Sequence, residues 1–393
     1  MIFLLYFFYY TITTLVISNK LMKKHLILSL VGMLFSVTSY SQKGEPQIPV
    51  YPTLQDSSSF SMIMVPDPQS YVKFAANQPL FDLQTAWIAQ NIARLNIKAA
   101  LFTGDMVEQN GKQISAPLPN EYNGDQTGRQ QWEAVSRALS RLDHRLSYVV
   151  AQGNHDIGHI TATDRHSLAP EYIRPERNIL FEKTLVATCP NFQGVHTMEN
   201  SAYEFVLPHW GKMLFLTFEF APRDEVLTWA RDLIASDRFK GHRVVLLVHS
   251  WLDTAGNRIT NEGYTLRPCN WADDVWKKLV YKSTNSVLVL CGHTGNVPNM
   301  KDLKNINYKP TSSFRIDKAE DGHNVSQMMF NSQQGDGSWN GNGGDCWLRI
   351  LEFKPDGKTI SVRTFSPLFA ISRRTQHMSW RTEAYDQFDI RIE

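Results

Sequence analysis

Short apolar runs alternate with stretches of helical periodicity along the chain after residue 60. In residues 81–95 the apolar positions recur every three or four residues, which predicts an amphipathic helix. The same periodicity predicts helices at residues 130–142, 224–235 and 271–280. Apolar runs predict buried strands at residues 61–65, 98–103, 147–151, 243–248 and 287–290. Strand–helix–strand units of this kind predict parallel strands joined by right-handed crossovers.

Other predicted strands pair locally. Residues 202–207 and 212–218 flank the segment Pro208-His209-Trp210-Gly211. Residues 346–353 and 359–365 flank Pro355-Asp356-Gly357, whose residue types favour a turn. The polar stretches 157–200 and 294–345 predict two long loops. Because no repeat or linker interrupts the pattern, we expect one domain over residues 42–393.

The N-terminus has the pattern of a leader. Residues 1–19 are almost entirely apolar and aromatic. A basic region starting at Met22, an apolar run over residues 26–37 and a small-x-small site ending at Ser41 follow, as in a signal peptide. We therefore expect residues 1–41 to be a leader, and the mature protein to be periplasmic or extracellular. A start at Met22 would leave residues 1–21 untranslated. Alternatively, residues 1–19 are a membrane helix, since their length is nearly sufficient.

The charge of the mature chain argues against a nucleic-acid partner. The full chain has a formal net charge of +2, and residues 1–41 contain three lysines and no acidic residue, so the remainder carries −1. No Lys/Arg cluster remains to bind nucleic acid. After leader removal no stable membrane insertion is expected. The four cysteines fit no zinc-binding spacing, although export is compatible with disulfides: Cys189, Cys269, Cys291 and Cys346.

Polar residues recur just beyond the carboxyl ends of the predicted strands. They are Asp67, Asp105, Asn154, His249 and His293. In open α/β sheets this edge is where ligands bind. Carboxylate, amide and imidazole groups together can hold a metal, so the pattern favours metal-assisted hydrolysis. Glycines at positions 104, 153 and 292 are expected to let the backbone turn sharply there.

These strand-end segments resemble the ordered motifs of the calcineurin-like metallophosphoesterases. The family motifs are Asp-x-His, Gly-Asp, Gly-Asn-His-Asp/Glu, a lone His after a strand, and Gly-His-x-His. Here they read Asp67-Pro68-Gln69, Gly104-Asp105, Gly153-Asn154-His155-Asp156, His249 and Gly292-His293-Thr294-Gly295. The resemblance covers roughly residues 60–366. The Asp-x-Gln form of the first motif resembles a secreted bacterial branch of the superfamily.

The resemblance implies a four-layer αββα sandwich with two mixed β-sheets flanked by helices, and a centre for two metal ions. Asp105 would bridge the ions, and Asn154, His249 and His293 would complete one site with it. The other site would take Asp67, Gln69 and Asp105. Gln69 stands where His is usual, and Gly295 lacks the side chain of the last family ligand. A neutral amide is a weaker ligand for Zn, Fe or Mn ions than imidazole, so this second site is expected to bind more weakly.

The implied chemistry is hydrolysis of phosphomonoesters or phosphodiesters by metal-activated water. His155 would protonate the leaving group, a role worth ~10²–10⁴-fold. Glu108 would orient His155, and Asp156 would fix the loop by hydrogen bonds. We expect a small-molecule or glycan-linked phosphoester as substrate. Candidate residues for a substrate pocket are Trp251, Arg258, Arg267, Trp339 and Trp347.

Two other functions remain open. A non-catalytic metal-binding surface protein of the same fold is favoured by the missing side chain at Gly295. A cyclic-nucleotide phosphodiesterase or nuclease is compatible with the fold, but the slightly acidic mature chain argues against long nucleic acids. The metal, the ester and the oligomeric state do not follow from the sequence.

Overall fold

The described elements are mostly strands. The computed structural model describes residues 51–115, 124–295, 311–333 and 343–393, so the predicted leader (1–41) with Met22 lies outside the described residues. The strands are β1 (Phe60–Val65), β2 (Ile97–Phe102), β3 (Ser147–Val150), β4 (Leu185–Pro190), β5 (His196–Leu207), β6 (Gly211–Thr217), β7 (Arg243–Leu247), β8 (Ser286–Cys291), β9 (Thr311–Lys318), β10 (Asn324–Asn331), β11 (Leu348–Phe353), β12 (Thr359–Phe365), β13 (Trp380–Arg381) and β14 (Gln387–Arg391).

Helices connect some of these strands. They are α1 (Gln69–Val72), α2 (Gln78–Asn91), α3 (Gly128–Leu139), α4 (Ala169–Tyr172), α5 (Phe181–Thr184), α6 (Asp224–Ala235), α7 (Ala272–Val275, continued by a π-helical turn over Trp276–Val280) and α8 (Pro367–Ala370). Short 3₁₀ turns occur at Pro175–Arg177 and Gln376–Met378. Helix α3 begins with a capping box, in which Thr127 accepts from the Gln130 N–H and the Gln130 side chain accepts from the Thr127 N–H. Within the described ranges, no helix is both long and apolar enough to cross a membrane.

The strands form two mixed sheets. The first has the order β13-β12-β11-β1-β2-β3, with β14 beside β12, and its strands β1, β2 and β3 run parallel. The second has the order β4-β5-β6-β7-β8-β10-β9, with β6, β7, β8 and β10 parallel. The predicted α/β class with two mixed sheets is confirmed. Residues 50–393 form one compact unit.

Both faces of the second sheet are apolar. Val245 and Leu247 of β7 pack in a first core cluster that also contains β1, β2, β3 and residues of α2 and α3. Val244 and Leu246, which alternate with them, pack in a second cluster with residues of α6 and α7. Because successive side chains of a strand point to opposite faces, this sheet has apolar neighbours on both sides. That explains why its central strands read as unbroken apolar runs.

Each element predicted from an apolar run or helical periodicity is present, with ends shifted by a few residues. The two predicted long loops are wrong as loops. Stretch 157–200 contains β4 and the first residues of β5, and stretch 294–345 contains β9 and β10. Strands β4 and β9 lie at sheet edges and are only partly buried, so their sequences lack the continuous apolar signal of central strands.

Candidate metal centre

The polar strand-end residues meet where the parallel strands end. Asp67 follows β1, Asp105 follows β2 and Asn154 follows β3. His249 and His293 follow the parallel neighbours β7 and β8 of the second sheet. The ligand atoms of Asp105, His249 and His293 all lie within 4.8 Å of one another. Five residues that are far apart in the chain therefore lie together at the strand ends of the two sheets.

The backbone at this point is strained in two ligand positions. Asp105 has φ +47° and His293 has φ +69°, in the left-handed region that non-glycine residues rarely adopt. Gly104 precedes Asp105 with φ +102°, which a side chain would not tolerate. The expected sharp turn is thus confirmed at Gly104, whereas after β8 the left-handed residue is His293 itself. Such strain is retained where the surrounding structure requires a particular side-chain direction.

Gly153 is required for close approach rather than for its dihedral angles. A Cβ built on Gly153 would lie 2.1 Å from the Asp105 Oδ1 and 2.3 Å from the Asp105 backbone N. A Cβ on Gly292 would lie 2.2 Å from the Asp67 Oδ1. These two glycines let the strand-end loops pack directly against the carboxylates.

We expect Gly153→Ala to displace Asp105 and to lower metal affinity by at least about tenfold. Loss of a group that only supports a metal ligand already lowers the affinity by about that factor, and displacement of the ligand itself should lower it no less. The backbone contact makes a purely side-chain adjustment insufficient. The affinity is measured by competition with a chelator. Gly241→Ala is the matched control, because no atom of the described residues lies within 4 Å of a Cβ built there. Wild-type affinity in Gly153→Ala would contradict the importance of this close approach.

His249 faces several lone pairs at once. Its Nδ1 lies 2.8 Å from the Thr103 carbonyl oxygen, so in a neutral imidazole Nδ1 donates and Nε2 carries a lone pair. That Nε2 lies 2.9 Å from the Asn154 Oδ1, 3.2 Å from the Asp105 Oδ2 and 3.0 Å from the His293 Nδ1. Facing lone pairs repel unless a proton or a metal cation lies among them. A histidine whose second nitrogen donates to a carbonyl is also the usual arrangement of a metal ligand.

The electrostatics show the same requirement for positive charge. Burial opposes a charged His249, but the Asp105 and Asp67 carboxylates and the Thr103 carbonyl together outweigh burial and raise the pKa of His249 to about 10. Burial alone would raise the pKa of Asp105, yet His249 and His155 lower it well below its usual range. Asp105 is therefore an anion in a buried centre that accommodates a cation. The donor set fits a divalent metal ion, whose binding displaces such protons.

The Asp67 half of the centre is organised differently. The Asp67 Oδ1 accepts from the Thr103 hydroxyl at 2.9 Å, and Oδ2 accepts from the His293 N–H at 2.9 Å and the Asn331 Nδ2 at 2.8 Å. Among the described residues, the nearest atom to a Cβ built on Gly295, the position without a side chain, is the Asn331 Nδ2 at 3.9 Å. Protein donors thus already bind the Asp67 oxygens.

Gln69 nevertheless keeps an acceptor for a weak ligand site. Its Nε2 donates to the Glu108 Oε2 at 3.1 Å, while its buried Oε1 has no hydrogen-bond partner among the described residues. A buried amide oxygen without a partner is costly unless a cation or water binds it. The Gln69 Oε1 is therefore a candidate ligand atom for a cation in this half of the centre.

Glu108 contacts His155 through its backbone. The His155 Nδ1 lies 2.7 Å from the Glu108 carbonyl oxygen, while the Glu108 carboxylate binds Gln69 and the buried Lys73, whose Nζ lies 3.2 Å away. The prediction that the Glu108 side chain orients His155 is therefore wrong, because the Glu108 backbone carbonyl makes this contact. Burial alone would raise the pKa of the Glu108 carboxyl, but Lys73, His155 and the Gln69 hydrogen bond together lower that pKa.

Asp156 supports the loops as the sequence predicted. Its Oδ2 accepts from the Gly153 N–H at 2.8 Å and its Oδ1 from the Val107 N–H at 3.1 Å, which ties the loop after β3 to the loop after β2. Burial, with the nearby Asp105 charge, raises the pKa of Asp156 to about 7. Asp156 therefore serves as an internal clamp for the two loops.

Three contacts to the centre carry no local sequence signal. The Glu262 Oε2 lies 2.9 Å from the His293 Nε2. Burial alone would raise the pKa of Glu262, but His293, Ser250 and His249 together lower that pKa. The Tyr264 hydroxyl accepts from the Asn154 Nδ2 at 2.9 Å. Asn331, at the end of β10, contacts Asp67 as described above. The first two lie in an irregular loop, and the third depends on the pairing of β10 with β8.

Three predicted pocket residues are engaged in core packing or ion pairs, although Trp251 also lines a cavity together with His249. Trp251 and Trp347 are buried, and each belongs to one of the core clusters. Arg258 pairs with Asp317 and packs over the Trp276 ring at 4.2 Å. These residues therefore stabilise the fold, and Trp339 lies outside the described residues. All four cysteines are described and all are free; Cys189, Cys291 and Cys346 are buried.

The known proteins that match this chain share little sequence identity with it. No family model matches this chain. The uncharacterized protein YvnB of Bacillus subtilis (strain 168) is 25% identical over 312 residues, which are 78% of this chain and 20% of that protein. The chain thus spans about a fifth of the length of that relative. GAP50, the anchor in the inner membrane complex of Plasmodium, aligns over 86% of this chain and 90% of its own, at 11% identity and a TM-score of 0.40.

Proposed function

We propose that this chain is a metal-dependent phosphoesterase of the calcineurin-like type. The observation that carries the proposal is the convergence of the Asp105, Asn154 and His293 donor atoms within 3.2 Å of the His249 Nε2. His155 follows Asn154 directly and donates its backbone N–H to the Asp105 Oδ1 at 2.9 Å. A cluster of donor atoms that can bind a cation, with the His155 imidazole nearby, favours metal-assisted hydrolysis.

The proposed fold is the four-layer αββα sandwich. The core clusters support it, because the first joins both sheets with α2 and α3, and the second joins the second sheet with α6 and α7. In this arrangement the strand-end loops of both sheets border the same site. The proposed export rests on the signal-like residues 22–41 of the sequence alone.

In the proposed mechanism Asp105, Asn154, His249 and His293 would hold one ion, and Asp67, Gln69 and Asp105 would hold a second ion more weakly. When bound, divalent ions neutralise phosphate oxygens and lower the pKa of a coordinated water. Ligands that include one carboxylate among neutral groups leave net positive charge, which suits an anionic ester.

His155 acts as the acid in this mechanism. Because its Nδ1 donates to the Glu108 carbonyl, Nε2 is the ring nitrogen free to deliver a proton to the leaving oxygen. Burial disfavours the charged ring, but Asp105 and then Glu108 outweigh burial and raise the pKa of His155. A protonated ring before the reaction is what a general acid requires.

Metal analysis combined with hydrolysis of aryl phosphate monoesters and diesters tests the proposal on the purified protein. We expect bound Zn, Fe or Mn, turnover that is lost with a chelator and regained with added ion, and a second ion that is bound more weakly. A small or glycan-linked phosphoester is the proposed physiological class. One tightly held ion with no turnover under any added divalent metal would instead favour a non-catalytic metal-binding surface protein. Preference for cyclic nucleotides or DNA would favour a phosphodiesterase or nuclease.

A further inference from the structure

We infer that residues 262–264, here called the support segment, position two of the proposed metal ligands. These two ligands, Asn154 and His293, belong with Asp105 and His249 to the first proposed metal site, here called the complete site. Glu262 contacts His293 and Tyr264 contacts Asn154, so one short segment contacts two of the four residues of the complete site. The inference rests on the metal centre of the proposed function. In it, the support segment determines which atoms of His293 and Asn154 face the ion.

Glu262 selects the nitrogen with which His293 binds. Its Oε2 lies 2.9 Å from the His293 Nε2, and a carboxylate there keeps the proton on Nε2. The lone pair of the neutral ring is then on Nδ1, which is the nitrogen that faces His249 at 3.0 Å. The other Glu262 oxygen accepts from the Ser250 hydroxyl, so the carboxylate is itself held in place.

Tyr264 keeps the amide oxygen of Asn154 directed inward. The Asn154 Nδ2 donates to the Tyr264 hydroxyl at 2.9 Å and to the Thr161 hydroxyl at 2.8 Å. With the nitrogen engaged on this side, the Oδ1 faces the His249 Nε2. An amide binds a metal through its oxygen, so this orientation is the one that supplies a ligand.

The support segment packs against neighbouring aromatic rings. The Tyr264 ring packs edge-on against Phe220, with ring centroids 5.5 Å apart, and lies 6.4 Å from the Trp271 ring. The Phe220 ring in turn lies 6.1 Å from His249 and 6.3 Å from His293. Aromatic packing of this kind holds the segment against the ligands without using the Tyr264 hydroxyl. The hydroxyl can therefore be removed while the packing stays.

The test compares metal affinities of Glu262→Gln and Tyr264→Phe with the wild-type protein, by chelator competition with Zn²⁺ and with Mn²⁺. Both changes keep the side-chain size, and each is expected to raise the Kd by about 10- to 100-fold, the usual effect of removing a support behind a metal ligand. The melting temperature of the metal-free variants should match that of the metal-free wild type. Glu133→Gln and Tyr281→Phe are the matched controls, since both residues are exposed and lie on other elements.

Affinity is read without turnover, so this test is separate from that of the proposed function. Wild-type Kd values in both variants would overturn the role of the support segment and leave the phosphoesterase proposal standing. A weaker Kd accompanied by an equal loss of stability in the metal-free protein would also overturn it, because the segment would then act on the fold. A wild-type protein that binds neither ion would overturn both proposals.

Discussion

Replacing Asp105 with Asn is expected to abolish tight metal binding and, with it, phosphoester hydrolysis. Asp105 is the only carboxylate among the four residues of the complete site, so the change removes the one formal negative charge that binds the ion directly. Its two oxygens also have separate partners, the His155 N–H on Oδ1 at 2.9 Å and the His249 Nε2 near Oδ2 at 3.2 Å. An amide nitrogen in place of either oxygen would turn an acceptor into a donor.

We expect the metal Kd of Asp105→Asn to rise by more than about 100-fold, beyond the range seen when only a ligand's support is removed. Calorimetric titration with Zn²⁺ and hydrolysis of an aryl phosphate measure the two effects. Asp389→Asn is the control, because Asp389 lies exposed on β14. If Asp105→Asn bound the ion as tightly as the wild type, the assignment of the complete site would be wrong.

Replacing His155 with Ala is expected to leave metal binding intact while turnover falls by about 10²–10⁴-fold, the usual contribution of a general acid. The His155 ring contacts the Glu108 carbonyl, and Ala keeps the backbone N–H that donates to Asp105. Metal content and turnover should therefore separate in this variant. His377→Ala, at an exposed position, is the control.

The choice of substrate sharpens the His155 experiment. An aryl phosphate has a good leaving group that needs little protonation, whereas an alkyl phosphate depends on the acid. The loss in kcat should therefore be larger for the alkyl ester. Equal losses for the two esters, or loss of the metal, would argue that His155 supports the centre rather than donating a proton.

The sequence predicted the strands that bring these residues together, because central strands between two apolar layers read as continuous apolar runs. It did not predict β4, β9 or β10. These lie within long polar stretches, and β9 is partly exposed at the edge of its sheet. Edge strands show weaker local patterns, since only part of each side-chain row is buried.

The centre shows the same division between local and long-range information. Asp105, Asn154, His249 and His293 each follow a recognisable strand, and parallel strands present their carboxyl ends at one edge. Asn331 reaches Asp67 only because β10 pairs in parallel with β8, with Met329 opposite Cys291. No periodicity within residues 324–331 determines that register.

Local sequence thus determined the α/β class, the candidate ligands and the order in which these ligands follow the strands along the chain. Each of these depends on a short apolar run followed by a polar residue. The tertiary structure alone decided which atoms of those residues face one another. It directed the Glu108 carbonyl rather than its carboxylate to His155, and brought Glu262 and Tyr264 behind two ligands. Such choices follow from backbone direction and from packing between segments distant in the chain, which no single stretch of sequence encodes.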